Sequence, residues 1–279
     1  MSEPRVILDG LAYVESARWH DGRLWFAHWG TDEIIAVDLD GNSEVVAHGP
    51  GGLGWSIDWL PDGRLLTTGT GLCRIEPDGS MVPYADLNHL AGDWNELVVD
   101  GRGNVYVNGR CEFDFSGGDP AGVIALVTPD GSVRQVADGI AFPNGMVVTP
   151  DNRTLIIAES IGGRLTAFDI ADDGGLSNRR VWADHVGADG ICMDAEGAIW
   201  GVGESMAPSF HRIREGGEIL DTVQLDRSLF SCMLGGPDGR TLFMLAAEWR
   251  GFEEIDQAIA DRTGQVLVMD APSPHAGWP

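Results

Sequence analysis

Short apolar runs broken by tight turns recur along the whole chain. Leu24-Trp25-Phe26-Ala27, Ile34-Ile35-Ala36-Val37 and Glu44-Val45-Val46-Ala47 are followed by Leu65-Leu66-Thr67-Thr68, Leu72-Cys73-Arg74-Ile75 and Met81-Val82-Pro83-Tyr84. Val105-Tyr106-Val107 and Val123-Ile124-Ala125-Leu126-Val127 continue the series. Runs this short, rich in β-branched and aromatic residues and bounded by Asp-Gly or Pro-Asp-Gly, predict strands joined by hairpins. Six turns mark the repeat: Asp21-Gly22, Asp62-Gly63, Gly101-Arg102-Gly103, Asp151-Asn152, Glu196-Gly197 and Asp238-Gly239. They return with a period of roughly 40 to 50 residues, the length of a four-stranded propeller blade. The pattern predicts an all-β fold, with residues 1–279 forming a single six-bladed β-propeller of four-stranded antiparallel blades.

The sixth repeat is irregular. After Leu242-Phe243-Met244-Leu245, the stretch from Trp249 to Gly264 has mixed helical and loop character. Val266-Leu267-Val268-Met269 then runs into Ala271-Pro272-Ser273-Pro274 without a fourth strand. Arg5-Val6-Ile7-Leu8 precedes the first blade and is expected to supply that strand, closing the ring and covering an edge open to aggregation. A doubly wound α/β fold would need helices between the strands, and only Gly251 to Ile259 looks helical. A β-sandwich lacks the long period.

Composition narrows the partners. The 279 residues carry 43 acidic against 18 basic side chains, a formal charge of −25 that repels nucleic acid and anionic membranes. No apolar run reaches the roughly 18 residues of a membrane span, and the first residues show no apolar leader core, so a cytoplasmic location is expected. Cys73, Cys111, Cys192 and Cys232 are widely spaced and predict free buried thiols rather than a disulfide framework or zinc knuckle.

The chemistry lies in the phase of the repeat. Glu15, Asn95, Asn144 and Asp189 each stand about six or seven residues ahead of a blade turn, at the start of the predicted innermost strand. Inner strands line a propeller's central channel, so these four side chains converge on its mouth from blades one, three, four and five. Carboxylate and amide oxygens without Cys or His suit a hard divalent cation. The expected partners are one such ion, Ca²⁺ ahead of Mg²⁺, Mn²⁺ or Zn²⁺, and a small-molecule substrate.

Glu15-Ser16-Ala17-Arg18-Trp19, Phe142-Pro143-Asn144-Gly145-Met146, Asp189-Gly190-Ile191-Cys192-Met193-Asp194-Ala195-Glu196-Gly197 and Leu234-Gly235-Gly236 together resemble the senescence marker protein/gluconolactonase/luciferin-regenerating enzyme group of six-bladed propellers, nearly end to end. The resemblance implies a divalent-metal-dependent hydrolase, commonly a lactonase. It makes Glu15, Asn144 and Asp189 the metal ligands, Asp189 also the general base, and Asn95 a substrate contact. Sugar-lactonase members typically place an Arg two residues before that Asn, whereas this chain has Asp93-Trp94-Asn95-Glu96. A donor for sugar hydroxyls is thus replaced by an acceptor, and Asp93, Asn95 and Glu96 are expected to face a substrate less polar than an aldonolactone.

Trp29, Trp55, Phe113, Phe115, Phe142 and Trp249 fall near channel-facing ends, where they could build an apolar pocket; Trp55 and Phe113 are taken as substrate contacts. The loop Cys111 to Pro120 is expected to cover the channel. His28 and His185 are rival bases outside the repeated phase, and Ser56 and Ser231 share the phase without a nucleophile elbow. Two other functions remain open on this scaffold: a non-hydrolytic metal-dependent lyase, isomerase or cyclase, and a binding module with a structural metal.

Overall fold

A computed structural model describes residues 2–109, 121–203 and 207–279. Six four-stranded antiparallel sheets follow one another around a ring. Blade one is typical: Val14–His20 is innermost, followed outward by Arg23–His28, Glu33–Val37 and Ser43–His48. The innermost strands of blades two to six are Ile57–Trp59, Trp94–Val99, Pro143–Val148, Gly187–Met193 and Ser228–Gly235. The turns that announced the repeat close the hairpins after these strands. Asp21 (φ 47°) and Gly22 (φ 75°) are both left-handed, as a two-residue hairpin turn matched to strand twist requires.

Blade six is completed from the other end of the chain. Arg5–Leu11 pairs antiparallel with Gly264–Asp270, as the orphaned Arg5-Val6-Ile7-Leu8 run predicted. The segment after Ala271 crosses the face opposite the inner-strand starts, where Trp278 pairs with Val148 and His275 with Asp194. The core lies between blades. Leu66, Trp94, Leu97 and Val107 pack blades two and three together, while Trp200, Phe243 and Leu245 bind blade five to blade six. Each such side chain contributes roughly 1.5 to 3 kcal/mol by burial. Cys192 and Cys232 are buried free thiols, whereas Cys73 is only half-buried.

Inner strands of neighbouring blades are joined by side chains rather than by a backbone ladder. Ser16 and Ser56 share a 2.6 Å hydroxyl contact, and the Ile57 N–H donates to Ser16 Oγ, linking blades one and two. The Val99 N–H donates to Asp58, Asn108 Nδ2 to the Asn144 carbonyl, Ser160 Oγ to the Ala188 carbonyl, and the Ala17 N–H to Ser231 Oγ. This belt satisfies groups that would otherwise be orphaned in the channel wall.

Candidate active site

Five of the six inner strands carry a register irregularity near their first residues, falling between Glu15 and Arg18, Trp94 and Leu97, Pro143 and Met146, Ala188 and Cys192, and Leu229 and Ser231. A bulge rotates the side chain it carries out of the regular alternation. Here it re-aims Glu15, Asn95, Asn144 and Asp189 toward the axis. Glycine permits the crowding that results: a Cβ on Gly145 would lie 2.6 Å from the Asp189 carbonyl, and one on Gly190 2.4 Å from Ser231 Oγ.

The four predicted residues do meet. All of them, with Asp93 and Glu96, line one cavity of about 570 Å³ at the channel mouth. Glu15 and Asp189 act on each other electrostatically, and Asn144 holds Asp189 lower than burial alone would set it. The Ser16 N–H donates to Glu15 Oε2 at 2.6 Å. Burial, then the charges of Asp189 and Glu96, push the Glu15 carboxyl well above the usual range. Asp189 is pushed up to about 7, chiefly by burial, with the Glu96 charge adding to the rise. Asn95 donates from Nδ2 to the Pro143 carbonyl at 3.2 Å, and Asp93 is exposed at the rim.

Glu96 also faces inward. Its Oε2 accepts from Ser56 Oγ at 2.9 Å and from Arg18 at 3.3 Å. Arg18, 6% exposed, spans the channel below the floor, donating to the Leu97 and Ala17 carbonyls and standing 3.9 Å from Asp58. Asp58 is pushed up to about 6, since burial outweighs the Arg18 guanidinium. Sequence reasoning assigned no role to Arg18 or Asp58, although both lie in the inner-strand phase that located the acidic floor.

The walls are apolar. Trp29, Phe142 and Trp249 line the cavity as the sequence suggested, joined by Tyr13, Phe230 and Phe252. Trp55 corrects the sequence reading: it is fully buried among Ala27, Ile34 and Ile57 and lies outside the cavity lining. Its indole is pressed against Gly49, and its carbonyl accepts from Trp29 Nε1 at 2.8 Å, so it supports a wall residue instead. Phe113, Phe115 and the 111–120 loop lie outside the described residues. Among the residues missed, Phe252 and Ile255 belong to the short helical insert of blade six, Phe252–Glu254 and Ile255–Asp261, whose irregularity was visible but whose direction was not.

The rival nucleophiles and bases have other occupations. His28 Nε2 accepts from the Ala12 N–H at 2.7 Å in a buried site, and His185 is solvent-exposed. Ser56 and Ser231 are buried in the inter-blade belt. Among the described residues, no group of three His, Cys, Asp or Glu side chains could by itself hold an ion. Glu15 and Asp189 could hold a cation with the Asn144 amide as a third donor. The set fits one: two buried carboxyls, both raised by burial, would be relieved by a divalent charge, and their hard oxygens match Ca²⁺ or Mg²⁺.

Fold and floor together define a six-bladed propeller with a polar, oxygen-lined pocket at its axis. The SMP-30/gluconolactonase/LRE-like region model matches residues 13–248, and the chain belongs to that family. It is 29% identical to regucalcin of Danio rerio over 193 residues, covering 66% of this chain and 65% of that one. Diisopropyl-fluorophosphatase of Loligo vulgaris is 26% identical over 201 residues, covering 61% of this chain and 63% of that one. The matched region thus spans somewhat less than two-thirds of these curated relatives. The calcium-binding protein regucalcin of Agrobacterium tumefaciens superposes with a TM-score of 0.77 at 21% identity, covering 98% of this chain and 94% of that one. A luciferin-regenerating enzyme gives 0.78 at 18% identity, covering 98% of each. At these identities the superpositions speak for the fold alone.

Proposed function

We propose that this protein is a divalent-metal-dependent hydrolase that opens a lactone or cleaves a related ester, with a substrate less polar than a sugar lactone. The observation that carries the reading is the meeting of Glu15, Asn144 and Asp189 on the floor of a cavity whose walls are largely aromatic. Family membership, the gluconolactonase of Xanthomonas campestris among the similar structures and the fluorophosphatase relative all favour hydrolysis.

Glu15, Asn144 and Asp189 would hold the ion, Ca²⁺ being the first candidate. When bound, it supplies Lewis acidity for the carbonyl and a source of acidified water. The protein's own groups do the rest. Asp189 takes the proton of the attacking water, a role suited to a carboxylate that lines the cavity beside Asn95. Asn95 orients the substrate beside it. Trp29, Phe142 and Trp249 hold the apolar portion and exclude bulk water. Asp93, an acceptor at the rim, takes the place of the guanidinium donor that the sugar-lactonase pattern carries there, and so cannot donate to a sugar's ring or carbonyl oxygens.

The test combines elemental analysis of the purified protein with turnover of a panel of lactones and aryl esters before and after chelation. Activity that disappears on chelation and returns with the ion supports the proposal. A bound ion with no turnover anywhere on the panel would favour the binding module, and elimination products the lyase.

A further inference from the structure

Among the described residues, Tyr13 is the one lining the cavity that combines an unpartnered polar atom with a strained backbone. It stands immediately before the inner strand of blade one, at φ 53°, a left-handed conformation that costs a non-glycine residue energy and collects at functional sites. The residue is 3% exposed, it lines the cavity, and its hydroxyl has no hydrogen-bond partner among the described residues. A buried phenol normally finds one, because leaving it unpaired forfeits the hydrogen bonds it made to water.

The surroundings fix where that hydroxyl acts. The ring is held between Phe230, at 5.0 Å between centroids, and Trp249, at 6.2 Å, and its backbone carbonyl is tied by the Trp29 N–H. Tyr13 lines the same cavity as Glu15, Asn144 and Asp189. A substrate whose reacting end sits over those side chains therefore comes within reach of the hydroxyl.

We propose that Tyr13 Oη is a hydrogen-bond donor to the substrate oxygen that gains negative charge when the ester or lactone carbonyl is attacked. The assignment rests on the hydrolase reading for the identity of that oxygen. The phenolic proton stays on Tyr13 throughout. What changes is the strength of the bond it donates, weak to a neutral carbonyl and strong to a developing oxyanion. The empty bonding capacity is then a preorganised feature: the donor waits unpaired, aimed by its aromatic clamp, and needs no reorganisation during reaction.

The test is Tyr13→Phe, which keeps the ring and removes only the hydroxyl. Binding of benzylphosphonate, whose charged tetrahedral oxygens imitate the oxyanion and which carries no hydrolysable bond, is measured by calorimetry at saturating Ca²⁺ beside Tm and steady-state kinetics. Expected are phosphonate binding about 10- to 100-fold weaker, a Tm equal to or above wild type, and kcat lowered on the order of 10²-fold with KM little changed. A fall in Tm would show that the hydroxyl holds structure and overturn the assignment. A wild type that binds benzylphosphonate no more tightly than the variant overturns it too, whatever the activity screen returns. Tyr13-dependent phosphonate binding in a protein that hydrolyses nothing would sink the hydrolase reading and leave the donor standing.

Discussion

Glu15 and Asp189 line the floor of one cavity, and the Asp189 charge helps push the Glu15 carboxyl above its usual range, although their strands belong to blades one and five. Two buried carboxylates ionise together only against a counter-charge, and the buried Arg18 is already engaged with Glu96 and the backbone. That unmet demand is what the proposed divalent ion would answer.

Glu15→Gln should therefore weaken cation binding by at least an order of magnitude while leaving the propeller intact, because the blades rest on strand pairing and apolar burial. Titration calorimetry with Ca²⁺, beside circular dichroism of the apo protein, checks both halves. Unchanged affinity would remove Glu15 from the ligand set.

The pH dependence of that binding has a definite sign. In the ion-free protein Glu15 and Asp189 are raised, Asp189 to about 7, whereas in the unfolded chain such carboxyls ionise near pH 4. The folded protein thus keeps protons that the unfolded chain has released. Stability from these groups is complete below about pH 4 and is lost as the pH rises toward 7. The ion supplies the missing charge, so the gain in Tm on adding saturating Ca²⁺ should grow between pH 5 and 7. A gain that is flat across this range would contradict the raised carboxyls of the floor.

Arg18→Met removes the one positive charge among Asp58, Glu96 and their serine neighbours. Breaking a buried pair from one side typically costs about 3 to 5 kcal/mol, and urea unfolding should show a loss of that order. A change under about 1 kcal/mol would mean that water already shares the guanidinium's work.

Specificity should follow the walls. We expect kcat/KM on gluconolactone to fall below that on hydrophobic lactones or aryl esters, and Trp249→Ala to raise KM for the aryl ester with little effect on the sugar lactone. The reverse ranking of the two substrate classes would show that Asp93 had been given too much weight.

The strand runs and turn residues made the blades legible, since Asp-Gly and Asp-Asn turns dictate backbone conformation locally. Ring closure by Arg5–Leu11 followed from a blade one strand short. The four floor residues were legible for a similar reason: a repeated phase converts position in the sequence into position around the axis. Trp55 shows where that reasoning stops, because an aromatic residue beside the channel can turn to either side of its strand, and the sequence carries no sign of which. Arg18 and Asp58 were hidden because pairing across the channel joins residues from different blades. Tyr13 was hidden because its left-handed backbone is set by tertiary packing, with no glycine to announce it.

Asp189 carries the central claim, as both ligand and proton acceptor. The most direct measurement is kcat of Asp189→Asn on the best substrate at Ca²⁺ concentrations shown by calorimetry to fill the site. The substitution keeps the shape and one ligand oxygen but removes the charge and the base. The account predicts a fall of something like 10²- to 10⁴-fold that persists at full occupancy. Full rescue by added Ca²⁺ would contradict it, confining Asp189 to binding and passing the proton to another group.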